Sequence, residues 1–309
     1  MLSSRLASCR TVGEALAEIT QVLSTAGLDS PRRTAELLLC HVLGWDRLRL
    51  VLERSTPLPL AARHRLLLLL RRRLRREPVQ YLLRETEFFG LRLSLRRGVF
   101  IPRPETELLV EEALALLRRA SLPYPVRVLD IGTGSGCIAL AIAYHCKRAD
   151  VLGIDTSLRA LLVARYNARR LGLRNVRFAR VDILRELPPK QPFHLIVSNP
   201  PYIPAADLPH LQPEVRLYEP REALTDGGDG LGFYRRFAQI FPVLLSPGGL
   251  FLLEVGAGSM NSVAELFRPN AQWLRIRKDY AGHERILVGT LQPSSVADPP
   301  ALAKFARSL

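Results

Sequence analysis

The residues Asn199-Pro200-Pro201-Tyr202 combine types that can grip a planar NH2 group. They follow Ser198 and the apolar run His194-Leu195-Ile196-Val197, so the tetrad reads as a strand tip opening into a loop. The consecutive prolines fix two φ angles and remove two backbone donors, which leaves the carbonyls of Asn199 and Pro200 free to accept hydrogen bonds. Asn199 adds a side-chain carbonyl, and Tyr202 adds an aromatic face against which a conjugated plane can lie. Such a seat suits a side-chain amide or the exocyclic amine of a base. Asn199, Pro200 and Tyr202 are the candidate catalytic residues, and Pro201 completes the substrate-binding set. A stiffened turn without a ligand is the simpler account of an isolated Pro-Pro pair; the glycine loop upstream weighs against it.

That loop is Asp130-Ile131-Gly132-Thr133-Gly134-Ser135-Gly136, which leads from an apolar strand, Val126 to Ile131, into a helix, Cys137 to Cys146. Glycines let backbone approach a ligand at a helix N-terminus, where free N–H groups favour a carboxylate or phosphate. The spacing is Gly-x-Gly-x-Gly rather than Gly-x-Gly-x-x-Gly, which favours S-adenosylmethionine over a nicotinamide dinucleotide. The next strand ends on Asp155, about 20 residues on, where an acid meets ribose hydroxyls. A third, Val176 to Val181, ends on Asp182, placed to accept from an adenine amine, although a helix N-cap explains that residue equally well. Strand tips bearing Asp130, Asp155, Asp182 and Asn199 thus share one sheet edge. Together with Gly132, Thr133, Gly134, Ser135 and Gly136, they form the expected cofactor-binding set.

The elements around these residues divide the chain. Thr11-Val12-Gly13-Glu14 reads as a capping box that opens a helix ended by Gly27. A second helix runs from Ser30-Pro31 to Gly44, and a third from beyond Pro59 to Glu77-Pro78. Residues 1–85 are predicted to be a small helical recognition domain without catalytic groupings of its own. Period-two alternation over Glu87 to Leu95 predicts a β-hairpin linker within 86–101. Pro104 is predicted to open a helix through Leu108, Leu109, Glu112 and Leu116. Strands from Leu250 to Val255, Trp273 to Lys278 and Ile286 to Gly289 would complete an α/β, seven-stranded, Rossmann-like methyltransferase domain over 102–292, the last two strands antiparallel. The remainder, 293–309, reads as a flexible tail.

Composition narrows the class. The chain has 309 residues, 48% hydrophobic and 24% charged, in the range of a globular protein with room for two domains. The apolar run Leu66 to Leu70 is followed at once by Arg71-Arg72-Arg73 and falls far short of the roughly 20 residues a bilayer requires. The four cysteines form no Cys-x-x-Cys pair, and the six histidines lack metal-ligand spacing, so no metal is expected. The net charge of +15 fits nucleic acid, an acidic protein or merely solvated helix faces, and decides nothing alone. Met1 to Arg10 is too short for a transit peptide.

With these residues placed, the chain resembles the HemK/PrmC family of protein-(glutamine-N5) methyltransferases up to about Gly289. The resemblance is carried by Pro78-Val79-Gln80-Tyr81-Leu82, Glu87-Phe88, Ile101-Pro102-Arg103-Pro104-Glu105-Thr106-Glu107, Asp130 to Gly136, Asn199 to Tyr202, Tyr218-Glu219-Pro220, Asp229-Gly230-Leu231 and Asp279-Tyr280-Ala281-Gly282. The tetrad is shared with adenine-N6 methyltransferases, which makes DNA or RNA methylation the alternative; the run from Ile101 to Glu107 and the helical domain discriminate. Arg84, where the family usually has glycine, and Ser259-Met260, where a glutamine is common, are departures. The resemblance implies transfer of a methyl group from S-adenosylmethionine to the glutamine of the Gly-Gly-Gln loop of peptide chain release factors. It further implies a role in translation termination, a monomer that needs no nucleic acid or membrane, and a bacterial cytoplasmic setting, with the mitochondrial matrix second. Phe100 and Arg103 are expected to border the same pocket.

Overall fold

A computed structural model describes residues 6, 8–119, 123–189 and 192–292; the tail expected over 293–309 lies outside them. The chain forms two compact units, one of residues up to Glu85 together with Gln212–Tyr218, the other of Thr86–Leu211 and the residues from Glu219 onward.

The first unit is helical: α1 (Val12–Thr25), α2 (Pro31–Leu43), α3 (Arg47–Leu52), α4 (Leu60–Leu74) and α5 (Val79–Leu83). Thr11 caps α1 by accepting from the Glu14 N–H at 3.2 Å, while the Glu14 carboxylate reaches back to the Arg10 N–H at 2.6 Å. The capping box therefore closes one residue earlier than its sequence pattern implies. Apolar residues at helical spacing, Leu16, Ile19 and Leu23 on α1 with Leu38, Leu39, Leu66 and Leu70, fill the core. The short α3 escapes the sequence reading because it is a single six-residue segment capped by Asp46. Arg84 follows α5 at φ 60°, ψ 24°, a left-handed conformation that glycine adopts without a Cβ penalty.

The second unit opens with the hairpin β1 (Glu85–Phe88) and β2 (Leu91–Ser94), turned through Phe89 and Gly90, both at positive φ. Then follow a 3-10 turn, Pro104–Thr106, α6 (Glu107–Arg119), β3 (Val126–Ile131), α7 (Cys137–His145), β4 (Ala149–Asp155), α8 (Leu158–Arg170), β5 (Val176–Arg180) and β6 (Phe193–Ser198). Helix α9 (Pro213–Tyr218) departs to the helical unit, where Glu214 pairs with Arg73 at 3.0 Å and the Tyr218 hydroxyl donates to the Arg75 carbonyl at 2.6 Å. The chain returns as α10 (Gly232–Leu244), β7 (Leu245–Glu254), α11 (Met260–Phe267), β8 (Ala271–Lys278) and β9 (Glu284–Leu291).

Strands β3 to β9 form one seven-stranded sheet in the order β5-β4-β3-β6-β7-β9-β8, parallel except that β9 runs antiparallel to both β7 and β8. The expected architecture is therefore present. Strand β7 starts earlier than Leu250, because Phe193 pairs with Leu245 and Leu195 with Leu250; Pro247, Gly248 and Gly249 form an irregularity inside the strand rather than a turn before it. Helix α7 is buried almost all round, and α10 packs Tyr234, Phe237 and Phe241 on the opposite sheet face against Phe251. Asn167 of α8 ties the hairpin down: it accepts from the Ser94 N–H at 2.8 Å and donates to the Ser94 and Ser135 carbonyls.

Replacing Arg84 with glycine is expected to raise stability by about 1 kcal/mol, the scale of a left-handed penalty removed. Chemical denaturation of the two proteins measures the difference, and equal or lower stability would contradict the strain.

Candidate active site

The parallel register brings the ends of β4, β3 and β6 to one edge: Ile131 lies beside Ile154 on one side and Ser198 on the other. The order changes direction there, with β4 and β6 flanking β3, the position at which open α/β sheets bind ligands. A cavity of about 310 Å³ occupies it. Gly132, Thr133, Gly134, Ser135, Asp155, Asp182, Asn199, Pro200 and Pro201 all line the cavity, joined by Phe100 and Thr106 from the Ile101–Glu107 region.

Three expected residues sit elsewhere. Asp130 lies inside β3 rather than at its tip, and its fully buried carboxylate is beneath the loop: Oδ2 accepts from the Thr133 hydroxyl at 2.6 Å and the Ala139 N–H at 3.1 Å. Gly136 forms the α7 N-cap at φ 85°, where a Cβ would press on Ala164 and Leu140, so it serves helix packing. Tyr202 is outside the cavity wall. Its hydroxyl points at Glu254 at 3.4 Å, and a Cβ on Gly256 would stand 2.8 Å from its ring. On the other side, a Cβ on Gly230, at φ 80°, would collide with the Tyr202 carbonyl. The glycine of the Asp229-Gly230-Leu231 motif is thus explained by close approach of two loops. Arg103 also stands back, stacked over Phe100 at 4.9 Å and paired with Glu219 at 2.5 Å.

Asp155 holds the glycine loop as well as facing the cavity. Its Oδ2 accepts from the Gly134 N–H at 2.9 Å and its Oδ1 from the Ser157 N–H at 2.8 Å. Asp182 lies two residues beyond β5 and accepts from the Leu184 N–H at 3.1 Å, so its turn-forming role and its place in the wall coexist. The sequence reading missed two more acids in the wall, Glu222 and Asp226. Asp226 accepts from the N–H groups of Gly228, Gly230 and Gly232, which orders the loop under Tyr202. The Asp-Gly-Gly-Asp-Gly run, with an acid ahead of several glycines, was the signal for it.

The charge of this wall is informative. Asp155, Asp182, Glu222 and Asp226 line it without a single lysine, arginine or histidine, in a chain of net charge +15. Such a cavity repels pyrophosphate and attracts a ligand carrying positive charge. It fits S-adenosylmethionine, whose sulfonium and amino groups are cationic, and the loop N–H groups suit its carboxylate.

Asn199 donates from Nδ2 to the Thr106 hydroxyl at 3.0 Å, and its Oδ1 makes no hydrogen bond among the described residues. Thr106 is buried, as is Glu254, the last residue of β7. Burial raises Glu254 to about 7, and burial likewise raises Asp130 to about 7. Glu254 was missed as a site residue; its signal was an acid ending an otherwise apolar strand.

The PrmC N-terminal domain family matches residues 14–83, and a methyltransferase domain family matches residues 125–275. The release factor glutamine methyltransferase of Geobacter sulfurreducens is 46% identical over 248 residues, 79% of this chain and 84% of that protein. The release factor glutamine methyltransferase of Bordetella pertussis is 43% identical over 274 residues, 88% of this chain and 99% of that protein. A crystal structure of a release factor-specific protein-(glutamine-N5) methyltransferase from Alicyclobacillus acidocaldarius is 36% identical, with a TM-score of 0.40 over 62% of this chain and 95% of that one.

Two outcomes are expected. Asp155→Ala should lower S-adenosylmethionine affinity by about 10- to 100-fold in calorimetry, since the charged acceptor and the anchor of the Gly134 N–H are lost together. Unchanged affinity would contradict the assignment. Asp130 and Glu254 hold protons in the folded state that the unfolded chain releases near its ordinary carboxylate values of 3.8 and 4.5. Their contribution to stability is therefore complete below about pH 4 and is lost as pH rises through 7, so the melting temperature should fall across that window. Asp130→Asn should flatten part of the slope.

Proposed function

The chain belongs to the release factor glutamine methyltransferase family, and from that premise we propose that it methylates the glutamine of the Gly-Gly-Gln loop of peptide chain release factors on its side-chain nitrogen. The observation that carries the reading is the junction of two seats: an acid-lined, cation-free cavity and, in its wall, the acceptor-rich Asn199-Pro200-Pro201 segment. S-adenosylmethionine, when bound, supplies an electrophilic methyl group on a positively charged sulfur.

An amide nitrogen is a poor nucleophile because its lone pair is conjugated with the neighbouring carbonyl. Catalysis is then mostly positioning and charge management. Asn199 Oδ1 and the Pro200 carbonyl accept the two N–H bonds of the substrate amide. This orients the nitrogen lone pair toward the methyl group and favours pyramidalisation. As the N–CH3 bond forms and the S–CH3 bond breaks, positive charge grows on nitrogen, and both acceptors strengthen. The surplus proton leaves to solvent, so no general base is required before transfer. Gly132, Gly134 and Asp155 hold the donor, and Asp182 accepts from its adenine amine. Tyr202, held between Gly230 and Gly256 outside the wall, fixes the loop. The helical unit docks the body of the release factor, consistent with its match to the PrmC N-terminal domain. We place the activity in the bacterial cytoplasm with the protein acting as a monomer. Among the described residues no helix is long and apolar enough to cross a membrane.

Labelled S-adenosylmethionine offered with a release factor, DNA and RNA tests the reading: label should enter the release factor and disappear when its Gly-Gly-Gln glutamine is changed to alanine. Label in nucleic acid alone would overturn it. Asn199→Ala should lower kcat by about 10²- to 10³-fold with little change in KM for the release factor, because its oxygen acts mainly in the transition state. A raised KM with intact kcat would make the loop an anchor instead.

A further inference from the structure

The Asp279-Tyr280-Ala281-Gly282 stretch lines no part of the cavity, yet it stands on the catalytic edge of the sheet. Strand β7 is parallel to β6, and β9 is antiparallel to both β7 and β8, so β8 points the same way as β6. The turn that follows Lys278 therefore leaves the edge from which Asn199 emerges. One acid organises it. Asp279 Oδ1 accepts from the N–H groups of Ala281 and His283, both at 2.9 Å, Oδ2 accepts from Arg285 Nε at 2.9 Å, and Gly282 takes the φ of 88° that closes the turn. Tyr280, at the tip, is 91% exposed. The polar groups of the turn thus hold one aromatic ring out from the edge.

Two measures place that ring. Strand β8 is third from β6 in the order β6-β7-β9-β8, and a spacing of about 4.8 Å per strand sets it about 14 Å along the edge. By the other route, the Tyr280 hydroxyl donates to Glu111 of α6 at 3.1 Å, five residues after Thr106, whose hydroxyl accepts from Asn199 at 3.0 Å. Five residues of helix rise about 8 Å, so with a hydrogen bond at each end the two routes agree. Arg277 pairs with Glu111 at 3.0 Å and with Glu112 at 2.6 Å, which ties β8 to α6 and fixes the separation.

The cavity takes up the part of the edge formed by the loops after β3, β4, β5 and β6, which leaves the part formed by β7, β9 and β8 to the molecule that carries the acceptor amide. The separation from Asn199 is the reach of about four extended residues. We infer that Tyr280 is a docking residue for the acceptor protein: its ring packs on the chain about four residues from the methylated glutamine and helps set which flanking sequence is accepted. The inference rests on the glutamine reading above. A polypeptide suits this tip better than a nucleic acid. Arg275, Arg277 and Arg285 are engaged by Glu112, Glu111 and Asp279, which among the described residues leaves Lys278 as the one lysine or arginine of the hairpin without a carboxylate partner. A phosphate backbone is held by several cations, whereas an exposed tyrosine ring is a common anchor between proteins. The turn is already ordered, so little conformational entropy is lost when a partner covers it.

The experiment measures kcat and KM for an intact release factor with the wild type, Tyr280→Ala and Tyr280→Phe, alongside S-adenosylmethionine affinity by calorimetry and thermal melts. Tyr280→Ala should raise KM about tenfold, with kcat and cofactor affinity within about twofold. Tyr280→Phe keeps the ring and should bring KM back to within about twofold of the wild type. Tyr280→Gln supplies a second non-aromatic variant should the alanine protein fail to fold. Alanine substitutions in the release factor, over about six residues on each side of its glutamine, then locate the contact. One of them, about four residues away, should raise KM for the wild type and leave KM for Tyr280→Ala unchanged. An unchanged KM in folded Tyr280→Ala, a loss that falls on kcat instead, or additivity with every flanking substitution would overturn the inference and leave glutamine methylation standing. If the wild type methylates no release factor, with or without label entering DNA or RNA, both readings fall together.

Discussion

The site depends on the parallel registry of β4, β3 and β6. Because Ile131 stands level with both Ile154 and Ser198, the residues that follow each strand emerge together at one edge. The alignment is held beyond the ladder: the N–H groups of Gly132 and Thr133 both donate to the Ile154 carbonyl, and the Ser198 hydroxyl donates to the Ile131 carbonyl at 2.8 Å. A slip of one residue would turn every side chain to the opposite face and send Asp155 or Asn199 away from the cavity. The apolar side chains of these strands, buried on both faces between α7 on one side and α10 on the other, resist such a slip. The core thus acts on chemistry by fixing where three loops start.

The same edge concentrates negative charge in a protein that is strongly basic elsewhere. From Thr156 to Arg180 the chain carries seven arginines and no acid, and Arg159, Arg169, Arg170, Arg174, Arg177 and Arg180 are exposed. The acids are held inward by backbone N–H groups: two on Asp155, three on Asp226, one on Asp182. Those bonds help make partly desolvated carboxylates tolerable; Asp182 alone of the three also has a salt bridge, with the exposed Arg185 at 3.5 Å, which does not line the wall. Net charge therefore says little about the ligand. The sign that matters is the sign at the wall, and it is opposite to that of the molecule.

Much of this was legible in the sequence because it is local. Helix caps, the alternation of the hairpin, glycine spacing and the acid that closes a strand each act over a few residues, and they yielded the seven-stranded sheet and most of the cavity wall. What was hidden is long-range. Thr106 meets Asn199 across 93 positions, and Tyr202 meets Glu254 across 52, contacts that no periodicity reports. Helix α9 illustrates the same limit: six residues between two loops gave no reason to leave the sheet domain, yet Glu214 neutralises the buried Arg73 of the helical unit. Asp130 was assigned to the ligand as an acid close to the tip of a strand that the sequence already carried to Ile131. Its side chain is fully buried, and its carboxylate serves the loop from below.

The burial of Asp130 also clarifies how donor and acceptor are brought into range. With the acid beneath the loop, the upper surface at this point is backbone alone. Gly132 turns at φ 72°, and the space where its Cβ would be is 3.9 Å from the Asn199 carbonyl oxygen. A Cβ there would make ordinary van der Waals contact with that oxygen, so the glycine loop and the Asn199 loop run close together at this point. A side chain at 132 would strain the left-handed turn, although its Cβ would find room. In a displacement that needs its reacting atoms about 3 to 3.5 Å apart, a shift of 1 Å costs on the order of 10²-fold in rate. The glycine is therefore called for by the turn itself, whose left-handed conformation fixes how the loop leaves β3 beside Asn199.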